Sequence, residues 1–231
     1  TGNMDTTGDR PEIGFITDPQ ACFMLTGNGM AFTALMSQAE AAGTMPFWKR
    51  DALTGAPINP KARPYLVQTS SGDTYGIGAW TRTLPYVSLP PSTPGYFAVS
   101  PSHFPSVSFM PWLLTDDPFH LEACQMAALR AMQSTNYHST INHLPGLVIT
   151  IQERAAAWGL RDIFRMAAFA PTQPPSWLLP RSAWSACLSD SLTFFTDQMQ
   201  PKPLLSGSGS TPVTTTPPRS RGSRCSASTA G

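Results

Sequence analysis

The sequence predicts an all-α fold built from αα-hairpin repeats, interrupted by one long irregular loop that contains a β-hairpin. Three observations predict it. Residues 112–135 read as a helix end, a tight turn and a complete second helix; that pattern recurs earlier in the chain; and apolar residues three and four apart mark two more helices between 150 and 198. In the first of these, Thr115-Asp116-Asp117-Pro118 is the turn. The Asp117 carboxylate is placed to cap the next helix, and Pro118 suits a first helical position, where no N–H is needed. Leu121, Cys124, Ala128, Leu129 and Met132 then form one face.

The recurrence lies at an offset of 89 residues, with 22–42 on 111–131. Leu25-Thr26 matches Leu114-Thr115, and Asn28 takes the capping place of Asp117. Phe32, Leu35, Ala39 and Ala42 fall on Leu121, Cys124, Ala128 and Ala131. Such a repeat implies units that bury their apolar faces against their neighbours.

Along the chain, the first helix starts at Asp18-Pro19, or earlier near Pro11 with Gly14 as a weak point. Gly27-Asn28-Gly29 turns it into a second helix that ends near Ala42. Residues 43–101 hold no helical pattern. They open on a β-hairpin signal, Met45 to Arg50 and Ala56 to Asn59 around Asp51-Ala52-Leu53-Thr54-Gly55, and are stiffened by prolines. A third helix is expected from Phe104-Pro105 to Leu114, kinked at Pro111, and a fourth over 118–133. Thr150-Ile151-Gln152-Glu153 is a capping box that opens a fifth helix to Ala170. Its apolar stripe is Ala156, Leu160, Ile163, Phe164 and Ala167, with Arg154, Arg161, Asp162 and Arg165 on its other face. A sixth, from about Arg181 to Gln198, shows Trp184, Leu188, Ser191, Leu192, Phe195 and Met199 at helical spacing.

Composition narrows the function classes. The chain of 231 residues is 41% hydrophobic but only 13% charged, against about a quarter in an average domain. A net charge of +1 points to no nucleic-acid partner, and no apolar run approaches the ~18 residues of a membrane span. Cys22, Cys124 and Cys187 fall on helix faces as small apolar groups, and the absence of CxxC leaves no metal site to expect. With no HExxH, GxSxG or phosphate loop, no cofactor is expected either. The chain opens on Thr1 as if cut from something longer, so the remainder of a larger polypeptide is an expected partner. Residues 201–231, rich in Ser, Thr, Pro and Gly, read as a disordered tail after a helical domain over 1–200.

Three αα-hairpins with long connections at one end resemble half of an (α/α)6 toroid, the barrel of six-hairpin glycosidases and several polysaccharide lyases. The segments TGDRPEIG (Thr7 to Gly14), WKRDALTGAPI (Trp48 to Ile58), SHFPSVSFMPWLLTDDPFHLE (Ser102 to Glu122) and IQERAAAWGLRDIFRMA (Ile151 to Ala167) also resemble a toroid-like helical domain of large bacterial and phage proteins. The resemblance implies a carbohydrate-processing or carbohydrate-binding fragment, polysaccharide lyase or glycoside hydrolase-like, with a polysaccharide or oligosaccharide as partner. The alternative is a non-catalytic helical scaffold within a large structural protein.

Function in such a scaffold is sought where the long loops gather. His103, His138 and His143 map there beside Tyr137, Asn142, Arg50, Asp51, Asp73 and Arg82. A lyase must neutralise a uronate carboxylate and place a base at the adjacent carbon. That makes His103, His143 and Tyr137 the catalytic candidates. Trp48, Arg50, Asp51, Trp80 and Asn142 are the substrate-binding candidates, with Trp48 and Trp80 able to cover a pyranose face and Arg50 to meet an acidic group. A hydrolase needs two carboxylates ~5 or ~6.5–9.5 Å apart. Asp51, Asp73 and Glu153 are available, but Asp51 also suits a turn and Glu153 a cap. His120, just inside the fourth helix at the other end, is expected to be solvated.

Overall fold

The computed structural model describes residues 14–44, 48–59, 62–63, 66–69, 72–77, 80–81, 83–84, 105–133 and 153–199. Six α-helices carry most of them: α1 (Asp18–Thr26), α2 (Gly29–Glu40), α3 (Phe109–Thr115), α4 (Pro118–Gln133), α5 (Glu153–Phe169) and α6 (Arg181–Met199). A 3-10 turn, Ala41–Thr44, extends α2. Three short strands, β1 (Leu66–Thr69), β2 (Gly72–Ile77) and β3 (Trp80–Thr81), form an antiparallel sheet in that order. The architecture is mainly helical and hairpin-like. The expected tail, 201–231, lies outside the described residues.

The repeat is visible bond by bond in the two tight turns. Gly27 (φ 62°, ψ 16°) and Asp116 (φ 55°, ψ 22°) end α1 and α3 in the same left-handed conformation. The amide of Gly27 donates to Phe23 O and that of Asp116 to Trp112 O, each at 2.8 Å. The Thr26 hydroxyl donates to Cys22 O at 2.7 Å, and the Thr115 hydroxyl to Pro111 O at 2.8 Å. Each hydroxyl also accepts the amide two residues on, Asn28 at 3.2 Å and Asp117 at 3.3 Å. The next helix is then capped by Asn28 Oδ1 on the Met30 amide (2.7 Å) or Asp117 Oδ1 on the Phe119 amide (2.9 Å). These bonds satisfy backbone groups that helix ends leave open. Behind the turns, Leu35 and Cys124 are buried at equivalent positions, as are Ala39 and Ala128.

Helix α4 is buried almost all round, because α3, α5 and β1 each pack against it. Its Leu121, Ala128, Leu129 and Met132 meet Ile163 and Met166 of α5 and Trp184 and Cys187 of α6 in the main core. Polar side chains hold the surrounding loops to the same helix. The Gln125 amide both donates to Leu179 O and accepts from Leu179 N, at 2.9 Å each, pinning the α5–α6 connection. Gln68 Nε2 donates to Gln133 Oε1 at 2.6 Å, and Arg130 Nη1 donates to Gln68 O, pinning β1.

Several expectations need correction. Helix α3 begins at Phe109, so Pro111 sits in its first turn, where no ladder donor is lost and no kink is required. Where strands were expected around Asp51, the described residues pair only as a bridge between Arg50 and Pro57. The ladder lies later, with Leu66 opposite Tyr75 and Thr69 opposite Gly72, where β-branched and aromatic residues favour it. Cys22 and Phe32, expected on buried faces, are exposed. His120 is buried, 2% exposed, edge-on to Phe119 at 5.2 Å; burial holds its imidazole below the usual 6.5, against the opposing pull of Asp117 and Glu40.

The largest correction concerns α5. Phe164 is exposed, while Arg161, Asp162 and Arg165 are buried with Ala155, Gly159, Ile163 and Met166. Two irregular segments, 14–17 and 105–108, lie over this face, and their carbonyls need donors that no helix or strand supplies. Arg161 and Arg165 donate to the carbonyls of Gly14 and Phe15, Gln20 donates to those of Ser106 and Val107, and Arg165 also holds the Ser106 hydroxyl.

Candidate functional site

Of the candidate site residues, the structure places Trp48, Arg50 and Asp51 together on one segment against α4. Trp48 is half-buried. Its ring stacks on Phe119 at 5.3 Å and 16°, and its Nε1 donates to Ala42 O at 2.6 Å. Arg50 Nη1 donates to Gly55 O at 2.6 Å, and its Nη2 pairs with Glu122 Oε1 of α4. Asp51 is 6% exposed and organises the turn. Its Oδ1 accepts the Leu53 amide at 2.9 Å, its carbonyl accepts the amides of Thr54 and Gly55, and its Oδ2 receives Arg63 Nε at 2.7 Å. Gly55, with φ 67°, closes the turn in a conformation that suits glycine.

Burial alone would raise the Asp51 carboxyl. The Leu53 amide, Arg63 and the Thr54 amide outweigh it and hold the group below its usual 3.8. A carboxyl depressed in the folded state contributes stability above the unfolded value and loses it as pH falls. The melting-temperature gap between the wild type and Asp51→Asn should therefore be open at pH 7. It should close as pH falls below about 3.8, which a thermal-unfolding series against pH measures.

Trp80 lies in β3 opposite Ile77, and Asp73 lies in β2 opposite Gln68. His103, Tyr137, His138, Asn142, His143 and Arg82 lie outside the described residues, as does the Thr150 end of the expected capping box. Glu153 is the first residue of α5. Among the described residues no group of three His, Cys, Asp or Glu side chains is placed to hold a metal ion, and no helix is long and apolar enough to cross a membrane.

A second polar site was not expected from the sequence. Arg161 grips Asp162 through both carboxylate oxygens, Nε to Oδ1 at 2.8 Å and Nη2 to Oδ2 at 3.0 Å, and its Nη1 donates to Gly14 O. Arg165 donates through Nη1 to Ser106 Oγ and through Nη2 to Phe15 O. The rings of Phe15 and Phe109 lie 4.5 and 4.3 Å from its guanidinium carbon, within cation–π range. Gln20 Nε2 donates to the carbonyls of Ser106 and Val107 at 2.9 and 3.0 Å. Burial lowers Arg165 to about 10, which leaves it charged at neutral pH, and pushes the Cys124 thiol well up, so that it stays protonated. The signal that marks this face is a second helical spacing, Ala155, Gly159, Ile163, Met166 and Ala170, which competes with the one centred on Phe164.

Compared with protein-family models, with curated proteins and with solved structures, the chain matches none.

Proposed function

We propose that the chain is a non-catalytic helical-hairpin scaffold, one section of a toroid-like array within a larger bacterial or phage polypeptide. The observation that carries this reading is the recurrence of one turn, atom for atom, at Thr26–Met30 and Thr115–Phe119. A repeated structural joint is what an array of hairpins needs and what a catalytic centre does not. The side chains of Trp48, Arg50 and Asp51 support it, since Trp48 and Arg50 fasten their loop to the helices and Asp51 ties its turn to Arg63. So does an open groove of about 570 Å³ between α5 and α6, where Phe164, Leu188 and Leu192 meet small Ala and Ser residues and no charged side chain lines the wall. It continues the helix-on-helix contacts of α4 with α5, and the apolar face of a further hairpin suits it.

The carbohydrate reading draws its chemistry from His103, Tyr137, Asn142 and His143, with Trp80 for stacking. One experiment separates the two. Calorimetric titration and turnover assays with neutral and uronate-containing oligosaccharides should give no saturable binding and no product. Saturable binding that is lost in folded His103→Ala or His143→Ala variants would establish the carbohydrate site and remove the scaffold reading.

A further inference from the structure

We propose that the cavity beside Arg165 is a built-in site for a monovalent anion of chloride size, held between α5 and the segment that leads into α3. The cavity gives the centre of a water-sized sphere about 20 Å³ and is lined by Ser106, Ser108, Cys124, Asp162 and Arg165, with apolar groups around them. That is more than the ~10–15 Å³ one water requires, and chloride is only slightly larger than water.

Charge and hydrogen-bonding capacity select an anion. The cluster holds two guanidinium groups and one carboxylate. Asp162 gives both oxygens to Arg161, so Arg165 has no carboxylate in contact among the described residues. Arg165 is 2% exposed and Ser108 4% exposed, and Arg165 Nε and Ser108 Oγ have no hydrogen-bond partner in the structure. The Ser106 hydroxyl accepts from Arg165, which leaves its own proton to donate. The cavity therefore gathers donors beside a buried charge that feels Asp162 only at a distance, since both oxygens of that carboxylate are held by Arg161. Leaving such a charge without a counter-ion is costly, whereas an anion accepting from Arg165, Ser106 and Ser108 balances it. The thiol of Cys124 remains a neutral wall. The site is independent of the scaffold reading, because it acts inside the domain and touches neither the groove nor the long-loop residues.

The test is thermal unfolding of the full chain at constant ionic strength, with sodium chloride or bromide exchanged for sodium gluconate, whose anion is too large for the cavity. The melting temperature should rise with halide concentration and level off, as mass action on the folded state requires. Ser108→Ala keeps the fold and removes one donor; it should weaken the halide dependence several-fold. In crystals grown with bromide, anomalous scattering should place one ion beside Arg165. Equal melting temperatures in halide and gluconate would overturn the proposal, with water filling the cavity. So would a halide effect that Ser108→Ala leaves unchanged, which would mark general surface screening, and so would bromide found elsewhere only.

Discussion

Arg165→Ala should destabilise the folded chain by about 3 kcal/mol, from the loss of two charge-assisted hydrogen bonds, one to the buried Ser106 hydroxyl and one to the part-buried Phe15 carbonyl. In a chain of this size that lowers the melting temperature by roughly 6–12 °C. The loss arises because Phe15 O and Ser106 Oγ belong to irregular segments with no other donor at hand, and because the rings of Phe15 and Phe109 lose the cation they rest on. Arg165→Met separates this cause from simple charge burial. Replacing a buried charge by an apolar group of similar volume is often neutral. Here Met fills the volume and still leaves the carbonyl unpaired, so it should cost nearly as much as Ala. Urea unfolding of the three proteins measures the difference, and a Met variant as stable as wild type would show that Arg165 only occupies space.

Trp184→Ala should cost about 3–5 kcal/mol, the range for removing a large aromatic ring from a packed core. Trp184 is fully buried where α4, α5 and α6 meet, among Leu129, Met132, Ile163 and Met166. Its Nε1 has no partner in the structure, so the ring contributes through packing and not through a hydrogen bond. Trp184→Phe should therefore retain most of the stability, at a cost of about 1–2 kcal/mol. Denaturant midpoints for the two variants give the comparison; equal losses would mean that the indole nitrogen matters after all.

The helices were legible where the sequence carries local signals. The Asp18-Pro19 start, the Asn28 and Asp117 caps, the Pro118 start and the Arg181 start all fall where short-range chemistry places them. The offset of 89 residues was legible because a tight turn needs particular atoms at particular positions, and Thr26 and Thr115 both supply the hydroxyl. What stayed hidden depends on long-range packing. Helix α5 has two plausible faces, and the carbonyls of Gly14 and Phe15 together with the Ser106 hydroxyl decide that the one with Arg161 and Arg165 turns inward. His120 reads as a surface residue until α4 is seen to be enclosed by its neighbours. Trp48 and Arg50 had the right types for sugar recognition, but type does not reveal that Phe119 and Glu122 stand opposite them.

The scaffold proposal rests on two hairpins, α1–α2 and α3–α4, closed by the same turn. Its most direct test is to exchange the turns, writing Thr115 to Phe119 into positions 26–30 and Thr26 to Met30 into positions 115–119, and to measure thermal unfolding by circular dichroism. Each turn brings its own left-handed residue, its Thr hydroxyl and its cap; Met30 is exposed, and a methionine in place of Phe119 keeps an apolar side chain against the Trp48 ring. The account predicts one cooperative transition with the melting temperature within about 5 °C of wild type, a change of no more than ~2 kcal/mol. Loss of cooperative unfolding, or a fall of more than about 15 °C, would show that the two turns are alike only in sequence and contradict the repeat.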